Sequence, residues 1–471
     1  MKYLKITAPL ILLLLIFGCK KDDGGGGEII IDSAILGCND PEALNYDADA
    51  TFDDGSCEYP SVACSECDFI IPSDQYAIDN NNLKLPPGSV ICLGAGTRKA
   101  LFAENFNGTA DNPFIFTNCD GLANVTSTTT AGMRFYNSTH FKITGTGDAG
   151  NYYGIAITAK DFAIVVEKRS SDFEIDHIEV LSAGNTGITA RTDPTCDGST
   201  NRSNFTQFNT IIHNNKITNT SNEGLYIGGS HWNSGTTPAN CGTKQFEPEL
   251  HGVRIYNNIL ENIGKDGIQV GSAIQDCQIF GNSVFNYGTR NDKSHQAGIM
   301  INPGTTGMVY NNMVEQGSGR GAFLQGFDLS FFNNIIYNCG SDGIVTTDRA
   351  PQAGTGFYIY NNTLVNLGDN GLKMISGETR GNIMYNNVVV NFPGKLMLIN
   401  TNNVEIDVQN NFETQNIDEV GFKNIGIKDF SLVESSPLID MGLDVSDRNL
   451  NWDFYFEERP KDDYDIGAHE F

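Results

Sequence analysis

Through the middle of the chain, short apolar alternations are separated by Asn, Gly and polar turn residues, and one phrase keeps returning. Its copies are "IHNNKITNTSNEGLYI", "IYNNILENIGKDGIQV", "VYNNMVEQGSGRGAFL", "FFNNIIYNCGSDGIVT" and "IYNNTLVNLGDNGLKM", with a last partial "MYNNVVVN". In the first five a glycine follows the first Asn of the pair by 10 residues: Asn214 to Gly224, Asn257 to Gly267, Asn311 to Gly321, Asn333 to Gly343 and Asn361 to Gly371. A fixed internal offset with variable gaps marks a solenoid whose insertions fall in loops. "FEIDHIEVLSAGNTGITA" and "IFGNSVFNYG" are degenerate members.

The unit of roughly 22 to 30 residues is too short for a pair of helices, and its period-2 alternation gives two or three strands per copy. Stacked coils bring equivalent residues about 4.8 Å apart, so paired asparagines can form hydrogen-bonded ladders along the axis. The regular leucines of a leucine-rich horseshoe are missing. Strand alternation assigns faces. The residue after each glycine points inward (Ile188, Leu225, Ile268, Ile299, Ala322, Ile344, Leu372), and the next points outward (Thr189, Tyr226, Gln269, Met300, Phe323, Val345, Lys373).

"LPPGSVICLGAGTRKALF" followed by "GTADNPFIFTNCDG" resembles the opening coil of right-handed parallel β-helix proteins, the superfamily that includes polysaccharide lyases. "SPLIDMG" and "ERPKDDYDIGAHEF" resemble the closing segment of surface β-helix proteins, with Asp440, Gly442, Arg459, Pro460, Asp465, Gly467 and Glu470 matching and His469 standing where an aromatic is preferred. The expected fold is therefore all-β: a single-stranded right-handed parallel β-helix over residues 61–425, with 426–471 as a segment capping the open edge of the last coil.

Ahead of the helix, Lys2 and Lys5, the apolar run "APLILLLLIFG" and Cys19 resemble a bacterial lipoprotein signal, which implies cleavage after residue 18 and lipid on Cys19. "KKDDGGGG" resembles the export signal of Bacteroidetes surface lipoproteins and supplies a flexible tether within residues 19–36. The expectation is an outer-membrane lipoprotein at the cell surface, held to the membrane through Cys19. Residues 37–60 contain "GCNDPEALNYDADATFDDGSC", which resembles a short Cys-bounded module of bacterial surface proteins. Asp47, Asp49, Asp53 and Asp54 put carboxylates in its turn-rich loop, so Ca2+ is a candidate cofactor there; a stapled acidic spacer is the alternative.

Acidic residues outnumber basic ones 57 to 30, for a net charge of −27. With no basic cluster beyond the N-terminus, a nucleic-acid partner is not expected, and the chain is taken as a monomer. Of the cysteines other than Cys19, the spacing favours Cys38 with Cys57 and Cys196 with Cys241, and Cys277 and Cys339 read as buried thiols.

Insertions locate the candidate chemistry better than the repeat does. Loops 192–210 and 229–250 follow outward strands in successive coils, and "GTRNDKSHQ" precedes a third. They are expected to wall a cleft with Arg191, Tyr226, Gln269, His231 and Trp232 as substrate-binding residues. Lys265, His295 and Asp266 are the candidate catalytic groups, and Glu223 with Asp266, in adjacent coils, is a carboxylate pair able to hold a cation. For Asp266 and Glu223 the competing reading is turn punctuation before Gly. The parts suit β-elimination on a uronic-acid polymer, with Lys265 or His295 as base, or glycoside hydrolysis by the carboxylates. The partner expected is extracellular polysaccharide; the alternative is a glycan-binding or adhesin-type β-helix without catalysis.

Overall fold

The computed structural model describes residues 35–41, 43–349, 355–399, 403–448, 450–460 and 463–471. Cys19, with the signal and tether expected around it, lies outside them. The described chain winds into a right-handed parallel β-helix. One sheet of 12 strands runs from Ala77–Asp79 to Met397–Ile399, and another of 23 strands covers the remaining faces, with parallel pairing throughout both. A representative coil is Glu249–Tyr256, Ile259–Ile263 and Ile268–Val270, which stacks on Ala273–Phe280, Ser283–Phe285 and Ala297–Ile301.

The two asparagines of each pair have different jobs. The second faces the interior: Asn258, Asn282, Asn312, Asn334, Asn362 and Asn387 hand Nδ2–H to the Oδ1 of the next coil's asparagine at 2.9–3.1 Å, and all are buried. Every step also accepts a main-chain N–H, as from Asn312 to Asn334 at 3.1 Å, so the buried amides are satisfied. The first asparagine sits in the left-handed region, φ 50–52° at Asn257, Asn311, Asn333 and Asn361, a conformation asparagine tolerates better than most residues. Its side chain points outward.

Those outer asparagines hold the chain's ends. Nδ2 of Asn311, Asn333, Asn361 and Asn386 donates to the carbonyls of Asp453, Trp452, Asp465 and Leu443 at 2.8–3.1 Å. The closing segment is thus a strap along the side of the coils, not the lid over the last coil that its sequence suggests. Arg459 and Glu470 form a buried ion pair within it, and Arg459 also reaches Asn333.

Just before the paired asparagines, His213, Tyr256, Phe280, Tyr310, Phe332 and Tyr360 stack into an aromatic column with centroids 4.5–5.1 Å apart. Trp452 from the strap and Phe52 from the N-terminal module cover it. The Cys38–Cys57 disulfide closes that module. Its Asp53 is drawn onto the β-helix: Oδ2 accepts from Asn214 Nδ2 at 2.6 Å and Oδ1 from the Gly55 N–H at 2.9 Å. Asp47 caps the N–H of Asp49 at 3.0 Å, and both are exposed. Among the described residues, Asp47, Asp49 and Asp53 do not form a three-donor group, because docking on the β-helix pulls Asp53 inward. The neighbouring Glu174, Asp176 and His213 do cluster, but the buried Lys142 ammonium stands among them, 2.8 Å from Glu174 and 3.3 Å from Asp176.

The glycine column needs glycine for a reason other than turn geometry. A Cβ at Gly267 would lie 2.5 Å from the Gly298 carbonyl oxygen, and one at Gly224 would lie 2.7 Å from that of Gly267. Backbone crowding between coils, not a positive φ, excludes a side chain there. The inward column is fully buried from Ile188 to Leu372 as the alternation requires.

Candidate functional site

The outward column does not lie on an open sheet. Arg134, Val165, Thr189, Tyr226, Gln269, Met300 and Phe323 are in register from coil to coil. Loops close over them, leaving Gln269 and Met300 only 1% and 3% exposed. They form the floor of a cleft of about 750 Å3, within the size range of ligand sites. Two walls come from the loops around residues 196 and 241, tied by the Cys196–Cys241 disulfide. Arg202 reinforces that tie, donating to the Trp232 carbonyl at 2.7 Å with its guanidinium 3.4 Å above the Trp232 ring.

Trp232 therefore belongs to the wall and does not line the cleft, a correction to its expected contact with substrate: its ring is spent on Arg202 and on the close approach to Gly304. Arg191, Tyr226, Gln269, His231, Lys265 and His295 do line it, together with Glu223. The Arg191 guanidinium lies 4.8 Å from the centre of the Tyr226 ring and pairs with Asp193 at 2.9 Å.

The central constellation comes from two adjacent coils and the third loop. Asp266 is buried behind the cleft surface; its Oδ1 accepts the Ala297 N–H at 2.7 Å and its Oδ2 faces His295 Nδ1 at 3.0 Å. Both carboxylate oxygens are engaged, so Asp266 faces the cleft only through His295. His295 is raised above the ordinary imidazole value, chiefly by its hydrogen bond to Asp266, and burial raises Asp266. The hydrogen bond thus favours the protonated imidazole, and burial favours the protonated carboxyl. With Nδ1 committed, Nε2 is the ring nitrogen left for the cleft.

Glu223, one coil away, accepts from Thr186 Oγ1 at 3.0 Å and faces Lys265 Nζ at 3.6 Å. These bonds between coils are what the residues before glycine do, in place of simple turn punctuation. Further along that column, Asp342 takes its cation from Lys373 at 3.6 Å, not from the adjacent Arg320.

Glu223, Asp266 and His295 each place one donor within 4.8 Å of the others and could hold a metal ion. The set suits calcium poorly. Calcium takes six to eight oxygens, whereas here one donor is an imidazole nitrogen, Asp266 has both oxygens engaged, and the Lys265 ammonium already compensates Glu223.

Charge is what the sequence reading missed. Arg134, Arg320 and Arg349 also line the cleft, and among the described residues none has a carboxylate partner within 4.0 Å. Arg320 donates to the Lys293 carbonyl at 3.0 Å and lies 4.5 Å from the Phe323 ring; Arg349 donates to Gln325 at 2.7 Å. Arg134 sits on the outward column and was findable from its register with Thr189, through Val165. Arg349 reaches in from beyond a strand end and carried no such signal.

A family model described as a right handed beta helix region matches residues 247–412. No curated protein sequence matches the chain. Among solved structures, the chain is similar to pectate lyase Pel9A at 15% identity, over 86% of this chain and 96% of that one, with a TM-score of 0.43. A GH136 lacto-N-biosidase from Eubacterium ramulus is similar at 13% identity over 71% of this chain and 63% of that one, TM-score 0.47. The PL6 family alginate lyase AlyGC is similar at 14% identity over 72% of this chain and 51% of that one, TM-score 0.41. These are likenesses of fold.

Proposed function

We propose that the cleft binds an acidic polysaccharide outside the cell and cleaves it by β-elimination. The observation that carries this reading is the set of guanidinium groups without carboxylate partners in the cleft of a chain whose net charge is −27. Cations concentrated in a walled, partly desolvated site against such a background need an anionic ligand. Uronate carboxylates on a sugar chain supply anions along a polymer that a groove across stacked coils can follow.

In this reading an arginine neutralises the carboxylate beside C5, which acidifies the C5 proton, and neutral His295 removes it through Nε2 while Asp266 holds the ring. No step is routed through calcium. Hydrolysis by Glu223 and Asp266 is less well supported, since a hydrolase needs two carboxyl groups free to face the sugar and Asp266 is buried with both oxygens bonded. Binding without cleavage uses the same arginines and differs only in outcome. Lipid on Cys19 would hold the cleft at the outer face of the cell, and Cys19→Ala should release the chain into the soluble fraction.

The test incubates detergent-solubilised full chain with polygalacturonate, alginate, glucuronan and neutral glucans. Unsaturated uronide ends, seen by ultraviolet absorbance, are expected from at least one polyuronate and from no neutral glucan. New reducing ends without that absorbance would replace elimination by hydrolysis, and binding with neither signal would leave a non-catalytic receptor.

A further inference from the structure

Elimination needs a second proton transfer, to the departing glycosidic oxygen, and resting on the function proposed above, we infer that Tyr226 is its donor. The hydrogen bonds around Ser230 carry the argument. Ser230 Oγ meets Gln269 Nε2 at 3.1 Å, Asn302 Nδ2 at 3.4 Å and Tyr226 Oη at 2.5 Å. A hydroxyl has two acceptor positions and one hydrogen. The two amide N–H groups fill both acceptor positions, so the single Ser230 hydrogen goes to Tyr226 Oη. The phenol accepts there, and its own hydrogen is directed into the cleft it lines.

A phenol held this way can give up its proton because the phenolate it becomes is already solvated. The Ser230 O–H is in place, and the Arg191 guanidinium stands over the ring. The charged groups facing it are Arg191, Glu247 and Glu223. Tyr226 is in register with Gln269, and Asp266, which holds His295, lies three residues before Gln269 on the same coil. Roughly 10 Å of chain separates the backbones of Asp266 and Gln269, so His295, held by Asp266, and Tyr226, beside Gln269, reach the cleft from different points along the coil. The step balances. The C5 proton moves to His295 Nε2, the C5–H electron pair becomes the C4–C5 double bond, the C4–O bond breaks with its pair on oxygen, and that oxygen takes the Tyr226 proton. Imidazolium and phenolate then reset by exchange with water.

Full chain labelled with ζ-13C tyrosine tests this together with turnover. Tyr226→Phe should remove one tyrosine resonance and lower kcat about 100-fold or more, with polymer binding within threefold of the parent. Ser230→Ala should raise the titration midpoint of that same resonance and lower kcat less. A parent that cleaves while Tyr226→Phe retains more than a tenth of kcat overturns the donor role. So does a Tyr226 resonance unmoved by Ser230→Ala. A parent that cleaves no polyuronate overturns the proposed function and the donor role with it, and the parent's own inactivity tells that failure apart from the first two.

Discussion

Asp266 reaches across from one coil to take the Ala297 N–H of the next with one oxygen and the His295 ring with the other, at 2.7 and 3.0 Å. Because the first bond is part of the coil stacking, the second is held by the scaffold and not by the loop that carries His295. Asp266→Asn keeps the bond to Ala297 but presents an N–H to Nδ1, which forces the neutral ring to keep its hydrogen on Nε2, the atom needed as base. The expected loss in kcat is about 10² to 10⁴-fold, with polymer affinity retained. A polyuronate progress curve with a parallel binding isotherm checks it, and equal activity in the variant would remove the imidazole from the mechanism.

The pH dependence follows from the same pair. His295 is raised above the ordinary 6.5 by Asp266, with Lys265 opposing and Glu223 assisting. A base must be neutral, so kcat should rise with pH and reach its plateau only above 6.5. The limb should also move to lower pH when Asp266 no longer carries charge. A profile already flat at pH 6 would exclude His295 as the base.

For the arginines the split between binding and chemistry is the test. Arg320 and Arg349 are held by a carbonyl and an amide, not by carboxylates, so their removal leaves no buried charge unpaired in the free protein. Arg320→Ala and Arg349→Ala should each weaken polyuronate binding by about 1.5–3 kcal/mol, leave kcat at saturation nearly intact and leave neutral glucans unaffected. Calorimetry at two salt concentrations reads this, since the lost component should be the salt-dependent one.

How much of this was written in the sequence depends on whether a feature repeats. The Asn-to-Gly offset recurs in five coils, so fold, inward column and ladder follow from local spacing alone. The aromatic before each Asn pair recurs too, but its partners, Phe52 and Trp452, come from the two ends of the chain, and nothing local joins them to Tyr310 or Phe280. Asp53 is a like case: its partner Asn214 lies far along the chain, and nothing local in the acidic loop points to it. In the site, His295 and Lys265 were legible because loops of that length must fold over the coil beside them. Arg349 lies beyond the end of the strand Ile344–Thr347, where the repeat offers no register to read.

Two asparagines of one repeat should differ sharply in what they contribute. Asn334 is fully buried, accepts the Asn312 main-chain N–H and donates to the carbonyls of Val309 and Phe332 at 2.9 Å. Asn334→Ala leaves several of these groups unpaired and should cost about 3 kcal/mol or more. Asn338 holds φ 56° at a half-exposed position within the strand Ile335–Cys339, and its side chain accepts from Asn366. Asn338→Gly preserves that backbone and should cost under about 1 kcal/mol. Urea midpoints rank the two, and equal losses would mean that the inner ladder is no more than a turn preference.

His469, the one departure in the closing motif, should make the strap acid-sensitive. Its Nδ1 accepts the Leu432 N–H at 3.2 Å, and its ring packs 5.6 Å from that of Tyr455. Burial, with Arg459 and Lys423 nearby, lowers the imidazole from 6.5 to about 4. The unfolded chain therefore binds this proton between those two values when the folded chain does not, so the contribution is complete above 6.5 and is lost as pH falls toward 4. Glu470, pushed up to about 7 by burial, titrates in the overlapping range with the opposite sign. The difference between parent and His469→Tyr, not either curve alone, isolates the histidine. The tyrosine form should be slightly less stable at pH 7.5, where Leu432 loses its acceptor, and should gain on the parent steadily between pH 6.5 and 4. Thermal midpoints taken across that window decide it: two parallel curves would mean that His469 is protonated in the folded strap and that its burial is not what holds it neutral.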